Sequence, residues 1–208
     1  MPETSVILEI VLRWVHFVAG TTWIGLLYFF NLVNVPVMKV LDGPTKGKVI
    51  PVLMPKALWY FRHAAWVTVL VGFIYYYLIV AGEPDHGKVM GLFLVLAVLA
   101  WAAIAGLLHM EWKPGKGLVL GIVVAVVAAV YAFLVVKLTG GEGHSSRALS
   151  IGVGGGFGVI MMLNVWGIIW RCQKKVIAWT ADNAAKGTPV PPESAALARR
   201  AFLASRTN

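Results

Sequence analysis

The sequence predicts an all-α, polytopic transmembrane helix bundle of about five spans, and two observations carry that expectation. Apolar residues make up 59% of the 208 positions and charged residues only 13%, far from the usage of soluble globular domains. Five apolar stretches, at about 6–32, 57–81, 88–109, 118–138 and 147–170, each reach the ~20 residues that cross a bilayer. They consume most of residues 1–181, read as one transmembrane domain, and leave 182–208 as a basic tail. The first stretch has no basic lead-in and no small-residue cleavage site after it, so it reads as a retained span rather than a secretory signal.

The first span carries Glu9, Arg13, His16, Gly20, Trp23 and Leu27 at steps of four and three, which is one stripe of a helix. Glu9 and Arg13, four apart, are spaced to form an ion pair that offsets part of the cost of placing charge in an apolar span. His16 has no such local partner. A cation beside a histidine suits an anionic ligand, such as a haem propionate or an acidic substrate. The bland reading of His16 is a hydrogen-bonded packing residue.

Between spans one and two lie Lys39, Lys46, Lys48 and Lys56 against Asp42. The second span opens "KALWYFRHAAWVTVLVGF", with Pro55 and Lys56 marking its start. Trp59, Arg62, His63 and Trp66 share a broad face. Arg62 either snorkels to headgroups or serves a ligand. His63 lies deeper and is a second haem-iron candidate.

Depth bears on whether His16 and His63 share one iron. His16 lies ~5 Å to one side of its span's centre and His63 ~8 Å to the other side of its own, at 1.5 Å per residue. The gap of ~10–13 Å argues against one upright haem between them. His109, at the end of span three, is nearer His63 in depth and completes a candidate inner site. His86 and His144 fall in loops.

Gly82–Glu83–Pro84–Asp85 and Lys113–Pro114–Gly115 are turn sequences joining spans two to three and three to four. Span four, 118–138, is free of charge up to Lys137 at its end. Span five holds "GVGGGFG", where Gly152/Gly156 and Gly154/Gly158 are small-x-x-x-small pairs. They predict close helix packing, with a flat macrocycle on a bare helix face as the alternative. Asn164 is a buried polar group that needs a partner on another helix. In the tail, Ser194 to Ser205 forms a short amphipathic helix that either lies on the inner leaflet or packs on protein.

The net charge of +9 sorts by topology rather than pointing to nucleic acid. Lysines and arginines crowd the segments after spans one, three and five, which an odd number of spans puts on one side. The positive-inside rule then gives an outer N-terminus and a cytoplasmic C-terminus. A single cysteine, Cys172, excludes a disulfide within the chain, a cysteine-based zinc or iron–sulfur site and an attached c-type haem. Phosphate loops, carboxylate pairs and nucleophile triads are all missing from the sequence.

Three stretches carry a family resemblance. "RWVHFVAGTTWIG" with "LYFFN" resembles the start of the N-terminal membrane domain of bacterial membrane-anchored urate oxidases (urate hydroxylases). "LWYFRHAAWVTVLVGF" resembles that family's second helix, and "NVWGIIWRCQKKVI" the end of a later one. The resemblance implies a membrane-embedded oxidase domain of the bacterial inner membrane that delivers electrons to a cytochrome c. The sequence holds no haem c motif, so on this resemblance the cytochrome would be a separate protein, and the chain is either a short member or part of a longer sequence. The first helix is also similar to those of membrane protoporphyrinogen oxidases, which favours His16 as a haem ligand.

The leading expectation is an integral-membrane redox protein, a candidate oxidoreductase. It would bind haem b through His16 or His63, with Arg13, Arg62 and His109 as further cofactor-binding candidates. The alternative is a cofactor-free accessory subunit of a respiratory or photosynthetic complex. Partners on these readings are the lipid bilayer, a separate cytochrome c or complex subunits, and further copies in an oligomer.

Overall fold

The computed structural model describes residues 2–110, 112, 116–141, 143 and 145–208, without the side chains of Pro2 and Glu3. The expected Lys113–Pro114–Gly115 turn and the loop residues Glu111, Glu142 and His144 lie outside the described residues.

Among the described residues the chain is helical, with no strand. Helix α1 (Pro2–Tyr28) passes through a π-helical turn (Phe29–Asn34) into α2 (Val35–Val40), followed by α3 (Gly43–Val80). Then come α4 (His86–His109), α5 (Gly117–Thr139) and α6 (Ser146–Asn164). A second π-helical turn (Val165–Ile169) leads into α7 (Trp170–Lys186), and α8 (Glu193–Arg206) ends the chain. Five stretches are long and apolar enough to cross a membrane: Thr4–Val40, Gly43–Val80, His86–His109, Gly117–Thr139 and Ser146–Lys186. The chain is thus an all-helical, multi-pass membrane protein by length and composition.

The helices outrun the expected spans. Residues 33–56, read from the sequence as mostly connection, are helical except at Leu41 and Asp42. Asp42 starts α3 as an N-cap, its carboxylate accepting the Thr45 N–H at 2.7 Å. Hydrogen bonding from Thr45, its side chain first and its backbone N–H second, holds the Asp42 carboxyl below the usual carboxylate range. Pro51 and Pro55 lie inside α3 rather than at its start, a placement that apolar helices tolerate when neighbouring groups satisfy the freed carbonyls. Pro36, which has no N–H and crowds the carbonyl one turn back, is the second residue after the first π turn. There the side-chain amide of Asn31 donates to the Leu27 carbonyl at 2.9 Å, supplying a donor where the backbone partners shift. Gly187 stops α7 at φ 70°, its N–H returning to Asn183 O at 2.9 Å; only glycine adopts that conformation freely.

The residues fall into two compact units. The first comprises residues 1–18 and 66–163. In α4, Val89, Met90, Phe93, Ala97, Ala100, Ile104 and Leu108 are buried, a stripe at helical spacing, and α4 packs on α5. The opposite faces carry exposed Leu99, Ile122, Val126, Val130 and Phe133, the apolar exterior expected where lipid is the solvent. At the turn before α6, Glu83 accepts hydrogen bonds from the Ser145 N–H at 3.1 Å and its hydroxyl at 2.5 Å.

The second unit comprises residues 19–65 and 164–208. Trp23, Leu27, Phe30, Leu58, Phe61, Val165, Ile168 and Ile169 form its core. The rings of Phe30 and Phe61 meet edge to face at 5.3 Å. Gly47 lies against Ala184, so that a Cβ there would stand 3.0 Å from the alanine methyl. Helix α8 packs on α7 and on both π turns, with Ala201 and Ala204 buried. Asn31 donates to Ser205 Oγ at 2.7 Å and Asn164 to Asn208 Oδ1 at 2.8 Å. Cys172 is buried in this unit.

Candidate ligand cavity

The first unit holds a partly open cavity of about 600 Å³, within the range of small-molecule and cofactor sites. Residues from α1, α3, α4 and α6 line it. His16 and Arg13 come from α1, Thr68, Gly72, Tyr75 and Tyr76 from α3, Phe93 from α4, and Gly154, Gly155 and Gly158 from α6. Most of the wall is apolar, and the polar groups converge from α1 and α3.

His16 is held by a specific contact. Its Nδ1 lies 2.9 Å from the backbone oxygen of Thr68. A carbonyl only accepts, so Nδ1 carries the proton, and in the neutral ring Nε2 keeps its lone pair. This is the arrangement that second-shell carbonyls impose on metal-binding histidines. Gly72 makes the contact possible. A Cβ there would stand 2.9 Å from Cε1 and 3.0 Å from Nδ1 of His16. The imidazole therefore occupies the space a side chain at position 72 would take, one helical turn along from Thr68.

Arg13 behaves as its spacing predicts and does more. It pairs with Glu9 at 3.0 Å and donates from Nε to the Tyr75 hydroxyl at 2.7 Å. Arg147, at the start of α6, also donates to Tyr75 Oη and lies 3.7 Å from Glu9. Both guanidinium groups stand over the Tyr75 ring, at 5.1 and 5.6 Å from its centroid.

The glycines of α6 divide between two environments. A Cβ at Gly152 would stand 2.8 Å from the Tyr76 hydroxyl, and one at Gly156 would overlap the Tyr131 hydroxyl. Tyr131 donates to the Gly152 carbonyl at 3.1 Å. These two positions receive tyrosines from α3 and α5. Gly154 meets open space and Gly158 only Val69, at 3.9 Å. With Gly155 they give the cavity a bare stretch of helix backbone.

The remaining candidates lie elsewhere. His63 and Arg62 belong to the second unit, in an aromatic cluster. The His63 ring stacks on Trp59 at 4.3 Å and meets the edge of Trp166 at 5.8 Å, with Nδ1 on the Trp59 carbonyl at 2.7 Å. Arg62 lies 3.9 Å over the Trp170 ring, and its carbonyl accepts from Trp166 Nε1 at 3.1 Å. His109, at the end of α4, bonds the Ala105 carbonyl of its own helix at 2.7 Å and does not line the cavity. Among the described residues no three His, Cys, Asp or Glu side chains gather as a site for a bare metal ion.

Sequence reasoning passed over Tyr75 and Arg147. The signal was there: Thr68, Gly72 and Tyr75/Tyr76 recur at helical spacing, and three consecutive tyrosines in an apolar stretch each need a polar partner. Comparison with family models, curated proteins and solved structures finds no match for the chain.

Proposed function

We propose that this chain is an integral-membrane redox protein whose cavity would hold a b-type haem through His16, and that it passes electrons to a separate cytochrome or respiratory complex. The carrying observation is the His16 ring itself: Nδ1 is engaged by Thr68 O, Nε2 is left as the metal-binding atom, and the residue lines a cavity of about 600 Å³. The bare backbone at Gly154, Gly155 and Gly158 suits a flat macrocycle. The apolar walls suit a porphyrin body, and Arg13 suits its acidic arms. Haem would supply one-electron chemistry here. The chain's own residues fix the tautomer and position of His16 and present cationic donors beside it.

The oxidised substrate would be urate or another acidic molecule, on the family resemblance read in the sequence. The membrane would be a bacterial inner membrane, with the N-terminus outside and the C-terminus in the cytoplasm. Support for this orientation is the run of Lys39, Lys46, Lys48, Lys56, Lys174, Lys175, Lys186, Arg199 and Arg200 on segments that share a side when five spans are crossed.

An optical spectrum and an iron determination on purified protein test the haem assignment. A Soret band with bound iron is expected, lost or strongly shifted in His16→Ala and retained in His63→Ala, whose ring is engaged with Trp59 and Trp166. Absence of both band and iron from the wild-type protein overturns it, and unchanged haem in His16→Ala overturns the ligand choice.

A further inference from the structure

We propose that Arg13, Tyr75 and Arg147 form a clamp for the carboxylate of an amphiphilic ligand whose apolar body fills the cavity. The proposal deepens the reading of the cavity as a ligand site. Donor and acceptor bookkeeping at Tyr75 carries it. The phenolic oxygen accepts from Arg13 Nε at 2.7 Å and from Arg147 Nη2. Two accepted hydrogen bonds use its two lone pairs, so its own proton is left to donate. Tyr75 lines the cavity, and an acceptor on a bound molecule is what that O–H suits.

Charge points the same way. Two guanidinium groups converge on the tyrosine, and among the described residues Glu9 is the carboxylate ion-paired with them, at 3.0 Å from Arg13 and 3.7 Å from Arg147. Arg13, Arg147 and Glu9 together carry one positive charge in excess. Each arginine has five N–H donors, so both retain donors beyond those given to Tyr75 and Glu9. Past this polar corner the wall is formed by Leu12, Phe17, Phe73, Phe93 and Val159. An anionic head on an apolar body matches both ends, and a planar carboxylate matches the forked guanidinium best.

Two sources offer that chemistry: a porphyrin propionate and a free fatty acid. The protein, reconstituted in phosphatidylcholine nanodiscs, is titrated with haem, with haem dimethyl ester and with palmitate. The clamp predicts that haem binds tighter than its ester by roughly 10- to 100-fold, the range for charge-assisted hydrogen bonds. That ratio should fall to near one in the Arg13→Gln/Arg147→Gln double variant and part of the way in Tyr75→Phe. His16→Ala should weaken acid and ester alike and leave their ratio unchanged. Arg147→Lys, which keeps the charge without the fork, controls for folding and should retain an intermediate ratio.

Equal binding of haem and its ester by the wild-type protein overturns the clamp and leaves the haem reading standing. Arginine-dependent binding of palmitate with neither porphyrin bound keeps the clamp and removes haem as its ligand. Binding of none of the three overturns the clamp.

Discussion

A missing side chain at Gly72 gives the His16 imidazole its place. The ring occupies the position of the absent Cβ, which would stand 2.9 Å from Cε1, and in doing so reaches the Thr68 carbonyl. In Gly72→Ala the moving part is the imidazole, because the atoms met belong to a side chain rather than to backbone. Helix α3 itself gains up to about 1 kcal/mol of helix propensity from the change. The variant should therefore fold normally while its histidine loses the bond that fixes its tautomer. Haem affinity is expected to fall at least about tenfold, in line with losses on removing outer-shell partners of metal ligands, with a shifted Soret maximum. Wild-type affinity and spectrum in Gly72→Ala would show that the Thr68 contact has no part in ligand binding.

At the scale of elements, α8 is held by two asparagines that sit where the helices widen. Asn31, in the first π turn, reaches Ser205, and Asn164, at the border of the second, reaches Asn208. Asn164 is fully buried, and its Oδ1 has no hydrogen-bond partner, so its amide makes less than its full complement of bonds. Replacing both asparagines by leucine removes the two hydrogen bonds that tie this last segment, ~0.5–1.5 kcal/mol each, besides the Asn31 bond to the Leu27 carbonyl within the first π turn. Tryptic cleavage at Arg199 and Arg200 should then accelerate by about tenfold or more, because cleavage follows the population of the released helix. An unchanged cleavage rate would mean that Ala201 and Ala204 alone secure α8.

Elements also show what could be read in advance and why. The five apolar stretches were legible because bilayer thickness sets a length that hydropathy measures directly. The additional turns of α3 were hidden. Pro51 and Pro55 read as breakers, whereas Asp42-Gly43-Pro44-Thr45, which starts the helix, has the aspartate N-cap and early proline of an ordinary helix start. Of the cavity, His16 and Arg13 stood out because ionisable residues in an apolar span are costly. Tyr75 and Arg147 did not, because their roles depend on α3 and α6 coming together, which spacing along one helix does not encode. The glycine run was legible as a packing motif. Its division into tyrosine-filled positions at 152 and 156 and cavity-lining ones at 154 and 158 required the partner helices.

At the scale of the whole molecule, the apolar exterior and the uneven distribution of basic residues bear on how the chain is inserted. The proposed orientation puts Gly82 on the outer side and Ala185 in the cytoplasm. In a Cys172→Ser background, Gly82→Cys should react with an impermeant maleimide on intact cells. Ala185→Cys should react only after lysis. Both positions are exposed, so access to each is governed by the membrane, and the reverse labelling pattern would invert the topology.

Cys172 itself has a practical consequence. It is the only thiol in the sequence, and its residue is 6% exposed among the helices of the second unit. An alkylating reagent therefore has one target, and it reaches that target only when the unit breathes. The rate at which the unaltered protein consumes such a reagent is a clock for local opening. It can be run in detergent, nanodisc or native membrane without introducing a label.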